Sequence, residues 1–251
     1  MKGPGFCCVL VLAASCSSPA APASTFTSFG LLTAAETAAF EYRHAANDTV
    51  DVAWQEAFHA WATEALGVTV ERRIRYNKYQ SRAHMGELIG TSDTNAFADP
   101  DRFEIHTIWP RDNHEVIHLY SSRWGRAVAL WSEGLAVAFQ TDPVKGDLEP
   151  RWSQVALHER ARQFRAQGTL IPIAALLTTS GFRSFDPNVT YPQSGSFMRH
   201  LLDTCGLEGV RRLFASGTPA DGASAVMAQF ETACGRSIGQ AEAGWLSILG
   251  H

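Results

Sequence analysis

The sequence has no run of lysine or arginine, no internal repeat and no low-complexity tract after residue 25. Charge is sparse, at 18% of 251 residues, with 21 basic against 25 acidic groups and a net charge of −4. Without a basic stripe the chain does not read as a nucleic-acid binder. With 45% hydrophobic and 10% aromatic residues, it is not disordered, collagenous or a coiled coil. The length suffices for one large domain, or one domain with a helical annex. No segment reaches the roughly 20 apolar residues of a spanning helix. The best apolar stretch, 6–14, is about half of that.

That stretch follows Lys2 and ends at Leu12-Ala13-Ala14-Ser15-Cys16, before a Pro/Ala-rich run. A short apolar region followed by small residues reads as a secretory signal. Cys16 resembles a bacterial lipobox cysteine, although Ala13 stands where leucine is usual. The expectation is an exported protein with residues 1–23 as leader and linker, lipid-anchored to a membrane at Cys16. The other reading is cleavage after Ala21-Pro22-Ala23. Cysteine is otherwise scarce. Cys7 and Cys8 leave with the leader, so Cys205 and Cys234 remain, either as a disulfide in an oxidising compartment or as two buried thiols.

Alternation predicts strands at 40–44, 68–76 and 102–109, with an edge strand or extended loop at 91–99. A helix runs to Gly67, capped by Asp48 or Thr49, and a short one lies near 80–88. From Asp112 the pattern is helical, at about 112–122, 127–140, 152–166, 172–178, 190–204, 207–215, 222–233 and 237–249. Strands first and helices after predict an α+β fold, with residues 24–251 as one domain, the sheet within 38–125 and the helical part in 126–251.

His114-Glu115-Val116-Ile117-His118 carries the chemistry. Four residues apart on a helix, the two imidazoles sit about 40° apart on one face. They can bind one Zn²⁺, and the glutamate between them can reach the water such an ion activates. The bland reading is a capping box, Asp112 with Glu115. Residues 127–141, AVALWSEGLAVAFQT, are apolar almost all round, with Glu133 their one charge. A carboxylate buried there must be paired, neutralised or metal-bound. Gly134 beside it predicts a close approach to a neighbouring backbone. Two antiparallel helices joined near 123–125 place Glu133 opposite His118. Two histidines and one glutamate with an open fourth position make a catalytic rather than a structural zinc site, with one ion per chain.

His114-Glu115-x-x-His118, fourteen residues, then Glu133 within Trp131-Ser132-Glu133-Gly134-Leu135-Ala136 resembles the gluzincin metallopeptidases, nearest to the peptidase MA-like domain family. The stretches 191–202 with Gly206, and 230–235 with Trp245, are similar to that family's downstream helices. The resemblance implies a zincin-like fold: a small mixed sheet with an edge strand beside the cleft, the metal-binding helix, and a helical C-terminal half. It implies zinc held by His114, His118 and Glu133, Glu115 as general base, and a peptide or protein substrate. Gluzincins commonly stabilise the oxyanion with a tyrosine or histidine, which makes Tyr191 a candidate, against a packing role. Where thermolysin-like members carry an acid that orients a ligand histidine, this chain has Val137, followed by Ala138; the histidines' orienting partners are left unassigned. His158 and His200 read as surface or capping residues. Ser194 and Ser196 lack a nucleophile-elbow context. The rival expectation is a zincin-fold binding or scaffold module that no longer cleaves.

Overall fold

The computed structural model describes residues 30–250, so the leader and the acylation expected at Cys16 lie outside the described residues. Five strands form one mixed sheet in the order β1-β2-β3-β5-β4. Strands β2 (Phe40–His44), β3 (Ile74–Lys78) and β5 (Glu104–Thr107) run parallel. They are flanked antiparallel by β1 (Leu32–Glu36) on one side and β4 (Ala96–Asp99) on the other. The edge strand expected within 91–99 is therefore present as β4. Strand β1 has no counterpart in the sequence reading, because its LTAAE stretch carries little apolar alternation; the sheet begins before residue 38. The strand expected at 68–76 shifts to β3, since residues 71–73 are exposed and the pairing with β2 starts at Ile74.

One face of the sheet buries Phe40, Tyr42, Ile74, Tyr76 and Ile105 against helices α1 (Val52–Leu66) and α3 (Asn113–Ser121). The other face packs Tyr79 and Phe97 against Met85 of helix α2 (Arg82–Ile89). The cap of α1 is Asp51, whose carboxylate accepts from Trp54 N at 3.1 Å. The expected caps do other work: Asp48 is ion-paired with Lys78 and accepts from the Thr49 backbone.

Helix α4 (Ala129–Ala138) opens the helical half, followed by α5 (Leu157–Ala166), α6 (Thr179–Arg183), α7 (Pro187–Thr204), α8 (Gly206–Ser216), α9 (Ala223–Cys234) and α10 (Ile238–Ile248). Two departures are local. The helix expected from 152 gives way to a hairpin, β6 (Arg151–Trp152) and β7 (Val155–Ala156), because Ser153 and Gln154 both take positive φ, the geometry of a two-residue turn. The helix expected at 172–178 is a 3₁₀ turn, Ile173–Leu176, before the short α6. Helix α7 begins at Pro187, with Asp186 as cap.

Helices α4 and α7 cross closely. A Cβ on Gly134 would lie 3.0 Å from the Ser194 carbonyl oxygen, and one on Gly195 would lie 2.4 Å from Val137 Cγ1. The close approach predicted at Gly134 is thus present, and Val137 occupies it rather than orienting a histidine. A disulfide joins Cys205, at the end of α7, to Cys234, at the end of α9. Among the described residues no helix is long and apolar enough to cross a membrane.

Candidate metal centre

Asp112 caps α3, its carboxylate accepting from Glu115 N at 3.0 Å. A capping box would return the Glu115 carboxylate to the Asp112 backbone. Instead Asp112 N donates to Oε1 of Gln55, a fully buried residue of α1, at 3.1 Å. Glu115 is thereby spared from the cap and lines the cleft beside the two histidines.

The turn from α3 to α4 depends on Gly125, at φ 139°, where a Cβ would sit 2.3 Å from the Phe214 carbonyl oxygen. Only glycine fits both that backbone angle and that contact. Helix α4 then runs back past α3 and aims Glu133 at both imidazoles. His114 Nε2 lies 3.0 Å from His118 Nε2. Glu133 Oε2 lies 3.1 Å from the first and 3.2 Å from the second. Ligand atoms about 2.0–2.1 Å from a tetrahedral Zn²⁺ are roughly 3.3 Å apart, so the triangle has the size to seat one ion. The group His114, His118 and Glu133 is positioned to bind a metal ion.

The far nitrogens of both rings are engaged. Ser132 Oγ lies 3.2 Å from His118 Nδ1, and the Gln140 side-chain amide lies 3.0 Å from His114 Nδ1. Rotated by half a turn, that amide presents its oxygen to an Nδ1–H, the tautomer that leaves Nε2 free to ligate. These are the orienting partners that Val137 does not supply. Arg183, at the end of α6, donates to Glu133 Oε1 at 2.5 Å and to Tyr191 Oη at 2.5 Å.

The electrostatics separate the two glutamates. Burial would raise Glu133, but the His118 and His114 imidazoles hold it well below the usual carboxylate range. Burial likewise opposes the charge on His118, and Glu133 overrides it to lift that imidazole to about 9. Glu115 is pushed up to about 7, chiefly by burial.

The site opens on a cleft of about 990 Å³, lined on one side by β4 and on the other by Trp152, Arg183 and Tyr191. Tyr191 lies in the second turn of α7, its ring 6.2 Å from that of His114, with burial first raising its phenol to about 12. His158 and His200 lie outside the cleft lining; His158 Nδ1 is 2.8 Å from Ser196 Oγ, which also accepts from Trp245 Nε1 at 2.9 Å. That arrangement is interior packing.

Three site residues escaped the sequence reading. Ser132 adjoins Glu133, and Gln140 follows it by two helical turns, a spacing that signals a shared face. Arg183 gave no signal, lying fifty residues away on a five-residue helix. In comparisons with known proteins, no family model matches the chain and no curated protein is significantly similar to it.

Proposed function

We propose that this chain is a zinc-dependent peptidase of gluzincin type, with His114, His118 and Glu133 as the ligands of one Zn²⁺. The observation that carries the reading is the convergence of two imidazoles and a carboxylate beside a second carboxylate, Glu115, that has no ion pair among the described residues, in an open cleft. The α+β architecture supports a zincin-like assignment: a mixed sheet with an antiparallel edge strand flanks the helix bearing both histidines. Zn²⁺, when bound, supplies Lewis acidity that activates water and polarises a scissile carbonyl. Glu115 accepts the proton of the attacking water and hands it to the departing amine. The Tyr191 hydroxyl, on the cleft wall, donates to the oxygen on which negative charge develops. Ser132 and Gln140 hold the imidazole rings in place. The substrate is a peptide or protein lying along the cleft. The Cys205–Cys234 bridge supports the exported reading, since such bonds persist in oxidising compartments.

A random peptide library incubated with purified protein tests this, with and without a chelator and after returning zinc. Cleavage that stops with chelation and returns with zinc is expected, at about one zinc per chain by elemental analysis. A zinc-loaded protein that cleaves nothing would favour the non-catalytic module, and zinc far below half-occupancy would remove the metal from the account.

A further inference from the structure

Arg183 holds two groups of the site at once, and the fold anchors it for that purpose. Its helix, α6, is capped by Thr178 Oγ1, which accepts from Gly181 N at 2.9 Å. Gly181 sits so close to the Ala175 carbonyl oxygen that a Cβ would lie 2.5 Å from it, and Phe182 is buried. Thr179 Oγ1 accepts from Ala129 N at 3.2 Å, so the helix carrying Arg183 is tied to the first residue of the helix carrying Glu133. The guanidinium lies 5.8 Å from the ring centres of both Phe182 and Tyr191.

Its hydrogen bonds have a directional consequence. Guanidinium is a donor only, in a rigid planar fork. At Glu133 it takes up Oε1, while Oε2 is the oxygen that faces both imidazoles. At Tyr191 it obliges the phenol oxygen to accept, so the one hydroxyl hydrogen is left for another acceptor.

We propose that Arg183 is a positioning residue that reserves one oxygen of Glu133, keeping the other for the metal, and turns the Tyr191 hydroxyl hydrogen toward the cleft. This rests on the zinc-peptidase reading above. The pair is lopsided: the Arg183 side chain is 53% exposed while Glu133 is 9% exposed, so the guanidinium acts chiefly on the buried carboxylate it meets.

The test compares wild type, Arg183→Met, Arg183→Lys and Tyr191→Phe, alone and in pairs, with Co²⁺ in place of zinc for spectroscopy. Arg183→Met should melt close to wild type and still take up about one Co²⁺. Its visible cobalt bands should shift as the freed carboxylate oxygen changes the coordination, and metal should pass to a chelator about 10-fold faster. In the zinc form kcat should fall by about 10-fold or more while KM changes little. Adding Tyr191→Phe to Arg183→Met should cost less than it does alone, because the two residues act as one unit. Arg183→Lys, which keeps the charge but not the fork, should recover part of the cobalt spectrum. A wild-type chain that binds metal and cleaves, beside an Arg183→Met protein with the same bands, release rate and kcat, overturns this inference alone. A wild-type chain that takes up no Co²⁺ or Zn²⁺ overturns both it and the functional reading.

Discussion

Two glutamates are buried to nearly the same extent, Glu115 on α3 at 8% exposure and Glu133 on α4 at 7%. Their acidities nevertheless move in opposite directions. Glu133 faces His114, His118 and Arg183 and stays ionised far below the usual range. Glu115 forms no ion pair among the described residues, and burial pushes it up to about 7. Burial alone therefore decides neither role. The charge and hydrogen bonds of both imidazoles outweigh burial at Glu133, whereas at Glu115 the same imidazoles pull downward but burial outweighs them, leaving it able to accept a proton near neutral pH. The helices differ to match. Nine of the ten residues of α4 are buried, all but Ser132, whereas α3 has its N-terminus capped at the cleft.

The contrast is broken most severely at Glu133. Glu133→Gln removes the charged oxygen that faces both imidazoles, so zinc affinity, measured by competition with a chelator, should fall by well over about 10²-fold. A smaller effect probes the seat of α4. Gly195→Ala drives a methyl group into Val137, 2.4 Å from its Cγ1. It should cost about 1–3 kcal/mol by denaturant unfolding, and Val137→Ala should restore part of the loss. The smallest effect is expected where α4 orients the rings of α3. Ser132→Ala and Gln140→Leu should each weaken zinc binding by about 10-fold at an unchanged stoichiometry. Equal zinc affinity in both variants and wild type would remove them from the site.

What was legible in the sequence follows from the range over which each signal acts. The grouping of His114, His118 and Glu133 was readable because four-residue spacing fixes the two histidines on one face, and because a lone charge in an apolar helix demands a partner. The α3–α4 pairing was readable from the short connection through Gly125. The Cys205–Cys234 alternative is settled by the fold, which brings the two helix ends to a Cα separation of 5.2 Å. Arg183 was hidden because its position depends on packing between α4, α6 and α7, which no local pattern records. Strand β1 and the β6–β7 hairpin were hidden because pairing and two positive φ angles, rather than apolar periodicity, define them. The Glu115 capping alternative was decided by Gln55, a residue of α1 distant in sequence.

The contrast between the glutamates also sets the sharpest test. Glu115→Gln keeps size and helix while removing the proton acceptor. Because the folded protein holds the Glu115 proton up to about pH 7, while an unfolded chain releases it near the ordinary glutamate value of 4.5, stability is lost as pH rises between those values. The substitution should therefore raise the melting temperature of the metal-free protein above about pH 7 and leave it unchanged below about pH 4. The decisive readout is peptide cleavage by zinc-loaded Glu115→Gln beside zinc-loaded wild type, with zinc content measured on the same preparations. The account predicts equal zinc and turnover lower by about 10²-fold or more; a zinc-replete Glu115→Gln protein that cleaves as fast as wild type would contradict it.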